Sequence, residues 1–130
     1  IITLSDTVLF PAGKSRMTTA GNNIIKQVFD LLQQFNYDVK IEGHTDNAPI
    51  RTEQFPSNWE LSAARAAEVA RELVEAGFPP TQLSIEGFAQ YRPKVSNDSR
   101  KARATNRRIE IVYQRGSVRK HMVDVLRRNR

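Results

Sequence analysis

Three polar residues, His44, Thr45 and Asp46, directly follow a predicted strand that ends at Gly43. Side chains at the end of a strand often face a loop or a cleft. There they could ligate a metal ion, take part in catalysis or hold one end of a ligand. Each of these chemistries requires different partners elsewhere in the chain, so the partners decide between them.

Metal binding requires more ligands than the sequence places nearby. A structural zinc site uses about four protein ligands and a catalytic zinc site about three. His44 and Asp46 lie two residues apart and would share one side of an extended segment, but the other histidine is His121, near the C-terminal end, and the chain has no cysteine. We therefore expect no metal ion and no cofactor, with His44 packing beside the strand end.

Catalysis has weaker support in the sequence. Ser57 and Ser62 are possible nucleophiles, but neither lies in a G-x-S-x-G turn, and Ser57 is explained as a helix cap. Asp46, Glu53 and Glu60 could supply a carboxylate pair of the glycosidase type, although acids at this density are ordinary. We predict that the protein is not an enzyme and has no catalytic residues.

Ligand binding needs only Asp46 and one cation, and Arg65 is the candidate. Asp46 lies at the end of a predicted strand, and Arg65 lies about two turns into the helix that follows the next loop. An aspartate can pair with an ammonium group, while an arginine grips a carboxylate through two parallel hydrogen bonds. The two side chains could therefore hold a zwitterion, although this spacing fits two unrelated surface charges equally well.

Hydrophobic alternation predicts the strands of the fold. Residues 37–42, 83–87 and 108–114 alternate apolar and polar side chains, and residues 1–4 form a short apolar opening. Strands of this amphipathic kind suit a sheet that is covered on one face only.

Apolar spacing of three and four residues predicts the helices, over 18–35, 57–76, 100–105 and 117–130. Ser57 and Glu60 match a capping box at the start of the second helix. The apolar stripe of the first helix consists of Ile24, Ile25, Val28, Leu31, Leu32 and Phe35. The order β-α-β-α-β-α-β with a C-terminal helix predicts an α/β (α+β) two-layer sandwich.

The net charge of +6 over 130 residues comes almost entirely from the C-terminal segment. Residues 115–130 contain six basic residues and one acid, so the first 114 residues carry a net charge of only +1. We therefore predict one domain over 1–114, followed by a basic helical extension over 115–130.

Two basic clusters could still indicate nucleic-acid binding: the C-terminal segment and the group around the last strand. Aromatic residues for base stacking are not interleaved with either cluster, so we predict no nucleic-acid partner. The members of the second cluster are Arg100, Lys101, Arg103, Arg107 and Arg108.

Membrane insertion is not indicated within the sequence, because no apolar stretch approaches the roughly 20 residues that a spanning helix needs. The chain begins at Ile1 and not at a methionine, and we expect it to be a fragment of a longer protein.

Five spaced motifs resemble those of OmpA-like peptidoglycan-binding domains, in the order found in that family and over about residues 2–114. The loop between Asp46 and Ser62 is most similar to the periplasmic branch of the family found in MotB-type flagellar stators. The motifs are Phe10-x-x-Gly13, Gly43-His44-Thr45-Asp46, Asn58-x-x-Leu61-Ser62-x-x-Arg65-Ala66, Gly87-x-Ala89-x-x-x-Pro93 with Asn97, and Asn106-Arg107-Arg108-Ile109-Glu110.

The resemblance implies a non-catalytic domain that holds the diaminopimelate side chain of a peptidoglycan stem peptide. Asp46 would receive its ammonium group and Arg65 its carboxylate. The remaining ligand-binding residues implied by the resemblance are Thr45, Asn58, Leu61, Asn106 and Arg107. For Arg107, a salt bridge that only fixes a loop is an equally good interpretation.

The resemblance also implies partners and a location. It predicts the periplasmic domain of a cell-envelope protein that binds peptidoglycan, forms a homodimer and joins a membrane-embedded stator partner through a segment outside this chain. The alternatives are an anchor in another OmpA-like envelope protein, a metal-dependent wall hydrolase and a nucleic-acid-binding module.

Overall fold

The computed structural model describes residues 1–115, which form four strands and four helices. The strands are β1 (Ile2–Ser5), β2 (Tyr37–His44), β3 (Leu83–Gly87) and β4 (Arg108–Arg115). The helices are α1 (Asp6–Leu9), α2 (Thr19–Leu32), α3 (Asn58–Ala76) and α4 (Arg100–Asn106), with a 3₁₀ turn at Pro80–Gln82. The predicted helix over 117–130 lies outside the described residues.

The four strands form one sheet in the order β1-β4-β2-β3. β2 and β3 are parallel and joined through α3, as expected for a crossover connection, whereas β4 pairs antiparallel with both β2 and β1. Helices α2 and α3 pack against one face, and the other face carries charged pairs such as Lys40 with Glu42 and Glu86. The predicted two-layer α/β sandwich is confirmed.

The hydrophobic core lies between these two layers and follows the predicted alternation of β2 and β4. Leu31 and Phe35, predicted on the apolar stripe of the first helix, are instead about half exposed, at 50% and 52%. Leu31 lies beside the face of α2 that buries Val28 and Leu32, and Phe35 lies beyond the end of the helix at Leu32. The fully buried aliphatic residues are Leu9, Ile25, Leu32, Ile41, Val69, Leu73, Ile109 and Ile111.

Side-chain caps start both long helices. The Thr18 hydroxyl accepts a hydrogen bond from the Gly21 amide at 2.9 Å. At α3 the Ser57 hydroxyl accepts from the Trp59 amide at 3.2 Å and donates to the Glu60 carboxylate at 2.7 Å. The predicted capping box is therefore modified, because Glu60 binds the serine hydroxyl and not a backbone amide.

Two glycines at the ends of β2 and β3 let α3 approach the sheet closely. Gly43 and Gly87 are register partners, and both lie under the first turns of α3. A Cβ atom added to Gly43 would overlap the Ser62 carbonyl, and one added to Gly87 would lie 2.7 Å from the Ala63 nitrogen. This contact sets the height of α3 above the ends of the strands.

His44 fixes the loop that follows β3. Its ring is 5% exposed and stacks on Phe88 at 5.0 Å, and Arg92 covers the Phe88 ring at 4.9 Å. The His44 Nε2 atom lies 3.1 Å from a Glu42 carboxylate oxygen. Burial and, to a smaller extent, the charge of Arg108 lower the pKa of His44 below its usual 6.5, against the opposing effect of Glu42.

We expect Gly43→Ala to destabilise the fold by about 3 kcal/mol, or roughly 10 °C in the unfolding midpoint, because the new methyl group meets backbone atoms that cannot rotate away. Thermal unfolding followed by circular dichroism measures the effect. Ser84→Ala, at an exposed position of β3, is the matched control and should shift the midpoint little. A midpoint of Gly43→Ala equal to that of the parent would contradict the close approach of α3.

We expect the free energy of unfolding to fall with pH below about 6.5, because unfolded His44 takes up a proton that the folded state resists. The slope from this residue reaches at most about 1.4 kcal/mol per pH unit. Urea unfolding between pH 8 and 5.5 measures it, with His44→Gln as the comparison that retains a donor for Glu42. Equal pH dependence of the two proteins would show that His44 titrates normally.

Candidate functional site

A cleft of about 640 Å³ opens between the loop after α1, the loop after β2 and the first turns of α3. Six of the seven predicted ligand-binding residues line it: Thr45, Asp46, Asn58, Leu61, Arg65 and Arg107. The end of β2, the first turns of α3 and the residue before β4 therefore meet at one place. A clamp in which Asp46 and Arg65 hold the two charged groups of a zwitterion requires this arrangement.

Four ionised side chains form an alternating row along this cleft. The Arg65 Nη1 atom donates to Asp6 at 2.9 Å, the Arg107 Nε atom to the other Asp6 oxygen at 3.4 Å, and the Arg107 Nη1 atom to Asp46 at 2.7 Å. We call Arg65, Asp6, Arg107 and Asp46 the ion row. Its two positive and two negative charges cancel, which makes it tolerable in a mostly buried place.

Arg65 is the most deeply buried member of the ion row, with a side chain 5% exposed. Burial lowers its pKa, which Asp6 partly opposes. Its Nε atom donates to the Lys14 carbonyl at 2.8 Å, and its Nη2 atom makes only a long contact of 3.4 Å with the Pro11 carbonyl. The Nη2 group is therefore its weakest-bonded donor.

Arg107 is the most accessible member, with a side chain 30% exposed. Burial alone would lower its pKa, but hydrogen bonds and charge interactions with Asp46 and Asp6 outweigh burial and raise it. The structure thus shows Arg107 as a salt-bridge partner of Asp46 that also faces the cleft.

Asp46 is positioned by the turn that follows it. Its Oδ1 atom accepts from the Ala48 amide at 2.9 Å, and the Asn58 side chain donates to the Ala48 carbonyl at 3.1 Å. Thr45 is held through its amide, which donates to the Ala89 carbonyl at 2.9 Å. Strand end and helix start are thereby joined around one rigid turn.

Apolar groups line the rest of the cleft. Leu61, Pro49 and Ile50 contribute aliphatic surface, and Phe10 lies under the Arg65 guanidinium at 4.9 Å. An occupant with a charged end and an aliphatic stem would find a counterpart for each part here.

Asn106 is the predicted ligand-binding residue that the structure places elsewhere. It is fully buried and fastens the loop before α4, accepting from the Lys94 and Val95 amides at 2.8 and 3.0 Å. Its amide group donates to Val95 and Asn97, both at 2.8 Å. With its hydrogen bonds made inside the protein, Asn106 stabilises a loop and does not contact the cleft.

Asp6 is the site residue that the sequence analysis missed. A single acid between a short strand and a loop carries no motif of its own. The available signal was the charge balance of the predicted site. Arg65 and Arg107 were both assigned to a cleft in which Asp46 was the one predicted acid. Two arginines beside one aspartate indicate that a second carboxylate lies nearby.

The metal candidates His44 and Asp46 do not share a site. His44 lies against Glu42 and within reach of Glu110, whereas Asp46 faces the cleft. Ligand atoms of Glu42, His44 and Glu110 lie within 4.8 Å of one another, but Lys40 and Arg108 already pair with the two carboxylates.

The basic cluster around the last strand is partly consumed by internal contacts. Arg107 belongs to the ion row, and Arg108 donates to Glu110 at 2.6 Å and to the Asn106 and Arg92 carbonyls. These two cations are therefore engaged within the protein and not displayed for a phosphate backbone. Residues 116–130 lie outside the described part of the chain.

Within residues 1–115, none of the helices combines the length and apolar character needed to cross a membrane.

Comparison with known proteins identifies the family. The OmpA family profile matches residues 9–107. Motility protein B of Bacillus subtilis is 33% identical over 114 residues, which cover 86% of this chain and 44% of that protein. The chain therefore spans less than half the length of this curated relative.

Solved structures agree with the sequence match. The cell wall anchor of the T6SS from Pseudomonas aeruginosa is 35% identical with a TM-score of 0.80, covering 84% of this chain and 76% of that one. The periplasmic domain of Helicobacter pylori MotB is 26% identical with a TM-score of 0.80, covering 95% of this chain and 82% of that one. With a family profile matched across most of its length and these folds superimposed on its own, the chain belongs to the OmpA family.

Proposed function

We propose that this domain binds peptidoglycan non-covalently by gripping the amino-acid end of the diaminopimelate side chain of a stem peptide. The observation that carries the proposal is the ion row lying beside aliphatic surface in one cleft. The domain would thereby anchor a membrane complex to the cell wall without catalysis.

The ammonium group of the ligand is assigned to Asp46. Each Asp46 oxygen accepts one hydrogen bond from the protein, from Ala48 and Arg107 respectively. A carboxylate can accept about four, so an ammonium group can add without displacing either donor. A charge-assisted bond of this kind is among the stronger polar contacts available.

The carboxylate of the ligand is assigned to Arg65, with help from Arg107. Arg65, whose Nη2 group is its most weakly bonded donor, lines the cleft, and the Arg107 side chain is the more exposed cation of the same lining. A zwitterion adds one charge of each sign to a neutral row, so binding leaves no buried charge uncompensated.

The relatives support a role as a wall anchor. The structural relative from Pseudomonas aeruginosa is named a cell wall anchor, and the curated relative from Bacillus subtilis is named for motility. We therefore place this domain in the periplasm, as the wall-binding part of a flagellar stator that joins a membrane-embedded partner. A homodimer would bring two clefts to the wall and gain avidity without new contacts.

Asp6 has a supporting role in this scheme. It lies between the two arginines and orients both guanidinium groups toward the cleft. Since Asp6 bridges Arg65 and Arg107 with its two oxygens, we assign it a positioning role, whereas Asp46 pairs with Arg107 alone among the arginines of the ion row.

We expect Asp46→Asn and Arg65→Lys each to weaken binding to purified peptidoglycan by at least about tenfold, since each removes a charge or a two-pronged contact while preserving size. Co-sedimentation with purified sacculi measures it. Glu53→Gln, an exposed acid in the neighbouring loop, is the matched control and should bind like the parent. Parent-like sedimentation of both cleft variants, with folding intact, would overturn the proposal.

We expect Asp6→Asn to lower the free energy of unfolding by about 3 kcal/mol, because it leaves the buried guanidinium of Arg65 without its counter-ion. Asp46→Asn should cost clearly less, since its partner Arg107 is 30% exposed and also contacts Asp6. Urea unfolding of the two variants measures the difference. The reverse order would contradict the assignment of Asp6 to structure and Asp46 to binding.

A further inference from the structure

Two exposed aromatic side chains form a flat surface beside the cleft. Trp59 and Tyr91 stack with ring centroids 5.1 Å apart and an interplanar angle of 28°, yet they remain 50% and 61% exposed. We call these two residues the aromatic platform. Large aromatic rings bury area readily, so a stacked pair left this open in water has a free face to offer.

The backbone under the aromatic platform is firmly held. The Trp59 amide donates to Ser57 at 3.2 Å, and its carbonyl accepts from the Ser62 hydroxyl at 3.1 Å. The Tyr91 amide donates to the Phe88 carbonyl at 3.2 Å, and Phe88 itself is stacked on His44. Both rings thus stand on ordered segments, which lowers the entropy lost when a ligand packs on them.

The aromatic platform begins one residue along the chain from the cleft lining. Trp59 directly follows Asn58, which lines the cleft and bonds to the Asp46 turn. A polymer whose side branch enters the cleft would therefore bring its main chain close to Trp59.

We propose that the aromatic platform binds a pyranose ring of the peptidoglycan glycan strand, an inference that rests on the proposed wall-binding function. The C–H face of an N-acetylated amino sugar is apolar and flat, so it can pack on an indole or phenol ring while its hydroxyl and amide groups stay in water. The domain then contacts two chemically different parts of one polymer, the peptide branch in the cleft and the sugar backbone on the platform.

The surroundings favour a sugar over other occupants. Polar residues adjoin both rings along the chain, Glu60 after Trp59 and Gln90 and Arg92 on either side of Tyr91, whereas a protein partner would favour a broader apolar face. A nucleic acid would place phosphates near the Glu60 carboxylate, and Arg107 and Arg108 are engaged internally.

The sequence supplies its own probe, since Trp59 is the only tryptophan. We expect chitohexaose, a β-1,4-linked N-acetylglucosamine hexamer without peptide, to change the Trp59 fluorescence in a saturable titration of the full chain. Tyr91→Ala should weaken this binding about five- to tenfold. Calorimetry with Trp59→Ala, where the fluorescence signal is lost, should show a similar or larger loss.

Phe35→Ala is the matched control, because it removes another aromatic ring that is 52% exposed but lies at the end of α2. It should bind chitohexaose like the parent. Circular dichroism should show parent-like unfolding for Tyr91→Ala and Trp59→Ala, as expected for half-exposed side chains.

A soluble diaminopimelate-containing stem peptide separates this inference from the proposed function. Parent-like stem-peptide binding by Trp59→Ala, together with lost chitohexaose binding, supports the platform. If the parent binds the stem peptide but not chitohexaose, the platform proposal fails and the proposed clamp stands. If the parent binds chitohexaose but not the stem peptide, the clamp proposal fails and the platform stands. Saturable, salt-sensitive quenching of Trp59 by single-stranded oligothymidylate without chitohexaose binding would assign the platform to nucleic acid and overturn the inference.

Discussion

The site depends on one constraint: the charges of the four mostly buried side chains of the ion row must sum to zero. Arg65 comes from α3, Asp6 from the first residue of α1, Arg107 from the residue before β4 and Asp46 from the loop after β2. Removing any one of them would leave an unpaired charge in a mostly buried place, which has lost its hydration without gaining a partner. The arrangement of the sheet brings the four together, and the row in turn fixes the loops that form the cleft.

The close packing of α3 on the sheet gives this row its geometry. Gly43 and Gly87 remove the side chains that would otherwise hold the helix away, so Arg65 on α3 can reach the end of β1. The Asn58 side chain donates to the Ala48 carbonyl and the Ser62 hydroxyl accepts from the Ala89 amide, which connects the loops after β2 and β3 to the first turns of α3. The proposed binding function would benefit from this rigidity, because the side chains of the cleft are held in place by bonds within the protein before a ligand arrives.

Most of the fold could be predicted from the sequence because the spacing of apolar residues indicates which side chains are buried. Val39 and Ile41, two residues apart on β2, are both buried as predicted. Asp46 and Arg65, which line one cleft, were selected through strand-end position, side-chain chemistry and family motifs. Asp6 was not selected from the sequence, and Asn106 lies outside the lining of the cleft, because their contacts join residues 59 and 11 positions apart along the chain. A local pattern gives no information on which distant group will satisfy a buried polar atom.

Long sequence separation within the ion row has a consequence for assembly of the domain. Arg107 and Asp6 are 101 positions apart, and Arg65 reaches Lys14 across 51. Because closing long loops costs entropy, we expect such contacts to form late in folding. The cleft should therefore exist only in chains in which β1 has already paired with β4 at the edge of the sheet. Under the proposed function, incompletely folded copies would lack the cleft and would not bind the ligand, and binding would in turn draw the population toward the native state.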